Sequence, residues 1–293
     1  MNIQDYISDG PGFNLFDPPA LESRRAKLLA LRALALDDPL TAGHQLELSL
    51  SVPPQNPDTR SRAVPRLPET VYETITTVLQ LEHGIQTGVD LSSQVWTARL
   101  VKAPQTLVVL KIIQPSMLYL PDPEEPWMRR YASPKDVACG EAWAYDAMRA
   151  QQGVTIPYFF GVQTTVTPSQ EPAWVLVLEY IPGLTFTELV KSGSIDDLKD
   201  FCRLGLDTMK AIVLAGMILP DLSASNFILT GKPSQRSVIV LDFSHMHPFA
   251  PDRDLGQAVL DEQCNFFGMF EDCGCGIGRK RLFQSTCGHR SQE

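Results

Sequence analysis

Residues 20–37, ALESRRAKLLALRALALD, place apolar side chains at helical intervals and predict an amphipathic helix. Leu28, Leu29, Leu31, Leu34 and Leu36 are expected on its apolar side, packed on the folded body. Residues 52–68 are Pro-rich and read as a linker. From residue 69 the pattern shortens to strands: VYETITTVLQL (71–81), QVWTARLV (94–101), TLVVLKII (106–113), PYFFGVQTTV (157–166) and AWVLVLEYI (173–181). A Pro-broken insertion (115–136) separates the third of these from a predicted helix, ACGEAWAYDAMRAQ (138–151). A long helix is predicted over 196–217, where apolar residues recur every three or four positions. FILT and VIVL, joined by GKPSQRS, then predict a β-hairpin, and residues 254–270 predict one more helix.

Composition narrows the classes. A chain of 293 residues with 44% hydrophobic residues has enough apolar side chains for one large or two modest domains. A net charge of −9 argues against a nucleic-acid binder, and the short basic cluster Arg279–Lys280–Arg281 reads as solvated surface. No run of 18 apolar residues occurs, so no membrane span is expected. The start, MNIQDYISDGPG, lacks a signal-peptide pattern, and six cysteines in this length do not suggest a secreted disulfide framework. An intracellular, cytoplasmic protein with reduced thiols is expected. The tail residues Cys264, Cys273, Cys275, Cys287 and His289 lack paired C-x2-C spacing, so unpaired thiols are favoured there over zinc.

The chemistry-bearing residues cluster around two segments, LPDLSASNFIL (219–229) and VIVLDFS (238–244). Asp221 and Asn226 precede one hairpin strand, and Asp242 and Phe243 follow the other. Upstream, Lys111 sits within the apolar run TLVVLKII, where an ammonium is costly to bury without a partner. Glu141 is the centrally placed acidic residue of the next helix. Each has a plainer reading, as a snorkelling edge lysine and a surface glutamate. In this order, the VVLK strand, the helical glutamate, the D-L-x-x-x-N spacing and the D-F dipeptide resemble the protein kinase-like superfamily.

That resemblance implies an α+β, two-lobed, protein kinase-like fold: an antiparallel N-lobe sheet with one helix, and a reduced helical C-lobe. It divides the chain into an N-terminal extension (1–68), a kinase-like N-lobe (69–181), a reduced C-lobe with the catalytic-loop hairpin (182–250) and a tail (251–293). It implies ATP and Mg²⁺ as cofactors. Lys111 would meet the phosphates and Glu141 would pair with Lys111. Asp221 would act on the acceptor hydroxyl, while Asn226 and Asp242 would hold metal. Gly88 and Val95 would lie at the nucleotide-covering loop, and Glu179, Tyr180 and Ile181 at the interlobe link. Phe243 would pack beneath the helix that carries Glu141. His245 and His247 read as loop histidines.

The sequence also departs from the family pattern. Aligned on G-x-G-x-x-G-x-V, residues 88–95 keep Gly88 and Val95 but place Asp90 and Ser93 where glycines let backbone N–H groups approach phosphate. Leu219 and Pro220 replace the His and Arg before Asp221, Ser223 stands where a lysine is usual, and Ser244 replaces the glycine after D-F. The resemblance still implies transfer of the ATP γ-phosphate to a hydroxyl acceptor. The alternative is a pseudokinase, serving as a nucleotide-binding or scaffold module with a protein partner.

Overall fold

The computed structural model describes residues 17–53, 55–65, 67, 74–88, 91–118, 133–220, 222–250 and 254–272. It is a mixed α+β protein with a largely antiparallel sheet. Two compact units are distinguished. Met1–Pro54, Val64–Ala142 and Tyr158–Tyr180 form the first; Gln55–Ala63, Trp143–Pro157 and Ile181–Glu293 form the second. No helix among the described residues is long and apolar enough to cross a membrane.

The first unit is built on six antiparallel strands: β1 (Gln45–Ser51), β2 (Thr74–Gln86), β3 (Gln94–Leu100), β4 (Ala103–Ile113), β5 (Phe159–Val166) and β6 (Pro172–Glu179). Their spatial order is β1-β2-β3-β4-β6-β5. Strand β1 is an addition to the elements expected from sequence, and it falls within the segment read as an extension. Its sequence QLELSLS alternates strictly, burying Leu46, Leu48 and Leu50. These leucines join Leu79, Trp96, Val108, Leu110, Ile112, Phe160 and Val175 in one apolar core.

The two outer strands are tied together by a side chain. Ser49 N–H of β1 donates to Gln163 Oε1 of β5 (2.6 Å), and Gln163 Nε2 donates to the Ser49 carbonyl (2.8 Å). The amide thus imitates one step of a β-ladder and satisfies the backbone groups of Ser49.

Helix α1 (Pro18–Asp37) starts at an Asp17 cap followed by two prolines. Its buried line is Leu21, Leu28 and Ala35, whereas Leu29, Leu34 and Leu36 are exposed. The expected five-leucine face is therefore corrected. At about 100° per residue, Leu29 and Leu36 lie roughly 80–100° to one side of Leu28, and Leu34 about 120° to the other. One face cannot hold them all.

Polar anchoring supplements that narrow contact. Arg32 Nε of α1 donates to the Ser116 carbonyl at 2.7 Å. Ser116 in turn donates through its N–H (2.6 Å) and Oγ (2.7 Å) to the fully buried Glu171. Gln114 Nε2 also donates to Glu171 (2.9 Å), and Gln94 Nε2 donates to Gln114 Oε1 (2.9 Å). Trp96 Nε1 completes the chain by donating to Gln94 Oε1 at 3.1 Å. Burial pushes the Glu171 carboxyl above its ordinary value, outweighing the bonds from Ser116 and Gln114 and the charge of Arg32 that pull it down.

In the second unit, β9 (Phe227–Thr230) and β10 (Ser237–Val240) form the expected antiparallel hairpin, from Ser237 opposite Thr230 to Val240 opposite Phe227. β7 (Gly183–Thr185) adds a third strand beside β9. Short strands β8 (Met217–Ile218) and β11 (His247–Pro248) pair separately. Helix α2 (Pro134–Ala147) contributes its last residues, from Trp143, to this unit. Helix α3 (Phe186–Ser192) opens with a reciprocal Thr185–Glu188 capping box. Helix α4 (Ile195–Leu214) buries Leu198, Phe201, Cys202, Gly205, Thr208, Met209 and Ile212 along one stripe. Thr208 Oγ1 donates to the Val238 carbonyl at 3.0 Å, fixing α4 to the hairpin. On α4, the Phe201 ring lies 4.7 Å from Phe186, 6.2 Å from Phe227 and 5.8 Å from Phe266 of α5 (Leu255–Asp272).

Two measurements check these arguments. A Cβ on Gly205 would stand 2.2 Å from Phe266 Cζ. Gly205→Ala should thus lower stability by about 1–3 kcal/mol despite alanine's better helix propensity; undiminished stability in chemical denaturation would show that the ring moves aside freely. For Glu171, the folded-state pKa is raised above the ordinary 4.5. Its stabilising contribution is therefore complete below that value and lost as pH rises through the folded-state value. Relative to Glu171→Gln, the wild type should lose stability on raising pH from about 4 to 7, and parallel curves would refute the assignment.

Candidate functional site

Strand β4 presents opposite chemistry on its two faces. Val108, Leu110 and Ile112 enter the core of the first unit. Ile113, on the other face, clusters with Leu118, Leu176 and Ala138 of α2. Lys111 shares the parity of Ile113, and stands in register with Val95 on β3 and Leu176 on β6. Its Nζ lies 2.7 Å from Glu141 Oε2, with side chains 9% and 0% exposed. Lys111 and Glu141 are therefore brought together as a buried ion pair, and Val95 neighbours it across the sheet.

The other first-unit candidates lie at strand ends. Gly88 follows β2 at φ +142, a backbone conformation that suits glycine; Asp90 falls outside the described residues. Glu179 ends β6, where its Oε2 accepts from Tyr158 N–H at 3.0 Å. Tyr180 is the last residue of the first unit, and the buried Ile181 begins the final segment of the second.

In the second unit, the hairpin brings Asn226 and Asp242 to one open end. Asn226 ends a 3₁₀ turn immediately before β9, and its carbonyl accepts from Leu241 N–H at 2.8 Å. That bond extends the ladder one step past Val240 opposite Phe227, so Asp242 emerges beside the Asn226 turn. Asp242 adopts φ +61, the left-handed region that Asp tolerates through local hydrogen bonding. Ser244 N–H (3.3 Å) and Oγ (2.8 Å) both donate to its Oδ1. Between them Phe243 is buried, meeting Tyr145 of α2 edge-to-face at 4.9 Å. This fits the expectation that Phe243 packs against the helix bearing Glu141.

Asn226 and Asp242 carry an amide and a carboxylate, hard oxygen donors of the type magnesium takes. Among the described residues no group of three or more His, Cys, Asp or Glu could hold a metal. Asp221 lies outside the described residues, as do Cys273, Cys275, Cys287, His289 and Arg279–Arg281. His245 and His247 are exposed, and His247 pairs with Ile218 through its backbone.

The Glu171 chain and the Ser244 hydroxyl bond were not anticipated. A serine two residues after an aspartate is a recognisable turn signal that could have suggested the latter.

Removing Glu141 takes a carboxylate away from a buried ammonium, so Glu141→Ala should cost about 3–5 kcal/mol, whereas Lys111→Met with Glu141→Leu should be close to neutral. Chemical denaturation of the two variants checks this; equal losses would mean that packing, not charge, sets the cost.

No family model matches the chain, and a search of curated proteins returns no match to it.

Proposed function

We propose that the chain is an atypical ATP-dependent phosphotransferase of the protein kinase-like type, moving the γ-phosphate of ATP to a hydroxyl acceptor. The observation that carries this reading is the Lys111–Glu141 pair, which joins a strand lysine to a glutamate on the next helix, as the resemblance requires. A buried pair contributes little net stability compared with apolar replacements, so its presence favours a chemical role. The left-handed Asp242 beside Asn226 adds support, because sparsely populated backbone conformations concentrate at functional sites.

In this reading Lys111 offers its ammonium to ATP phosphate oxygens, and Glu141 holds Lys111 in that orientation. Asn226 and Asp242 hold magnesium; when bound, the metal neutralises charge on the phosphates. Asp221 takes the acceptor's hydroxyl proton as the new P–O bond forms and the bond from the γ-phosphorus to the bridging oxygen breaks, releasing ADP. Residues 179–181 supply backbone groups to the adenine. An intracellular, cytoplasmic setting, where ATP is plentiful, accords with this proposal. The replacement of loop glycines by Asp90 and Ser93 favours the second reading, a pseudokinase that keeps nucleotide affinity as a binding or scaffold module.

Calorimetric titration of ATP should show binding strengthened by Mg²⁺, and Lys111→Ala should weaken it about tenfold or more. Asp221→Asn should preserve binding but reduce phosphate release by about 10²-fold or more. Binding indifferent to magnesium would overturn the assigned metal ligands. Magnesium-dependent binding with no turnover on any acceptor would establish the pseudokinase.

A further inference from the structure

We infer that residues 56–62 form a strap and that Asn56, through it, is a positioning residue for the turn that carries Asp242; the consequence for metal rests on the role proposed above for Asp242. This stretch lies within the Pro-rich segment read as a linker. Residues 55–63 nevertheless group with the second unit, while the chain on either side of them belongs to the first. Hydrogen bonds within the strap set its shape. Asp58 N–H donates to Asn56 Oδ1 at 3.0 Å, a turn that an asparagine before proline favours. Ser61 Oγ donates to the Asn56 carbonyl at 3.0 Å.

The strap holds the loop that follows α2. Carbonyls at the end of a helix have no partner within it and need donors from elsewhere. Asn56 Nδ2 donates to the carbonyls of Ala150 and Gln152, both at 2.8 Å. Arg62 donates through its N–H to the Gly153 carbonyl (2.8 Å), and through its guanidinium to those of Val154 (3.4 Å) and Ile156 (3.1 Å). A side-chain amide has two N–H donors, and Asn56 directs both to this one loop.

Two routes lead from that loop to Asp242, both inside the second unit. The Thr155 carbonyl accepts from Val240 N–H at 2.9 Å, so the loop bonds to β10, an edge strand of its sheet, two residues before Asp242. Gln152 Nε2 donates to the Tyr145 carbonyl at 3.0 Å, and the Tyr145 ring meets Phe243, the residue after Asp242, at 4.9 Å. The chain is thus held on both sides of the left-handed Asp242, a conformation that persists only where its surroundings determine it.

The test has two arms on the full chain. Hydrogen exchange, followed residue by residue with NMR, compares the wild type with Asn56→Ala and Asn56→Asp. The aspartate keeps the oxygen that accepts from Asp58 and sets a second oxygen against the two carbonyls. Val240 and Leu241 amides should exchange about threefold faster or more in both variants, with α4 amides unchanged. Unchanged rates at Val240 and Leu241, or rates raised equally along α4, would refute the strap. In calorimetric titration of ATP with and without MgCl₂, Asn56→Ala should reduce the Mg²⁺-dependent gain in affinity roughly 3–30-fold. It should cause no further loss of ATP affinity when added to Asp242→Asn. Losses that add in the double variant would mean that Asn56 does not act through Asp242. If ATP binding to the wild type ignores Mg²⁺, the metal role of Asp242 fails, while the exchange arm still decides whether Asn56 positions its turn.

Discussion

An ammonium on the covered face of β4 imposes the tightest constraint in the first unit. Lys111 follows an unbroken run of apolar side chains, so its charge must be compensated inside the protein. Compensation at 2.7 Å by Glu141 requires helix α2 to lie across that face at one height and one rotation. The apolar contacts of Ala138 with Ile113 and Leu176 set that height, and the hydrogen-bonded register with β3 and β6 prevents the strand from sliding. A one-residue slip would turn Lys111 into the apolar core and Leu110 or Ile112 toward the carboxylate. The ion pair thus makes register, helix placement and core composition mutually dependent.

The second unit meets a different constraint at the same kind of boundary between apolar and polar. Asp242 comes shortly after a strand that buries Val238, Ile239 and Val240, and is followed at once by buried Phe243. Placing the ring inside against Tyr145 while turning the carboxylate to accept from Ser244 requires a sharp reversal between adjacent residues. The left-handed backbone at Asp242 makes that reversal, and Ser244 stabilises it with two bonds to the same oxygen. Strain at one residue is thereby offset by local hydrogen bonding and by burial of the next.

Legibility in the sequence followed the length and regularity of each signal. TLVVLKII and AWVLVLEYI are long apolar runs, and FILT–GKPSQRS–VIVL carries an evident turn, so these strands and the hairpin could be read. The pairing of Lys111 with Glu141 could be read because a buried ammonium needs a carboxylate and the next helix offers one at its centre. β1 escaped because QLELSLS has only leucine as its apolar residue and lies between a helix and a proline-rich stretch. The α1 face was misread because counting leucines ignored their angular positions. Glu171 follows a PSQ turn and looks like loop surface; only the pairing of β6 with β5 and β4 draws it under Ser116 and Gln114, through contacts more than 50 residues apart.

If the site has the kinase-like role proposed above, it must hold phosphate without two of the glycines of the covering loop. Phosphate can be held by backbone N–H groups in such a loop, by an ammonium or by a bridging cation. The loop route is weakened here, because Asp90 brings negative charge to a segment that would face phosphate. On the proposed reading the lysine and the oxygen donors remain, and Lys111 is held by Glu141 while Asp242 is held by Ser244 and the buried Phe243. Binding energy would then shift from the loop to the cation, whose own charge partly masks a carboxylate such as Asp90. On the proposed reading, nucleotide affinity would therefore depend more steeply on divalent metal than it would with an intact glycine loop.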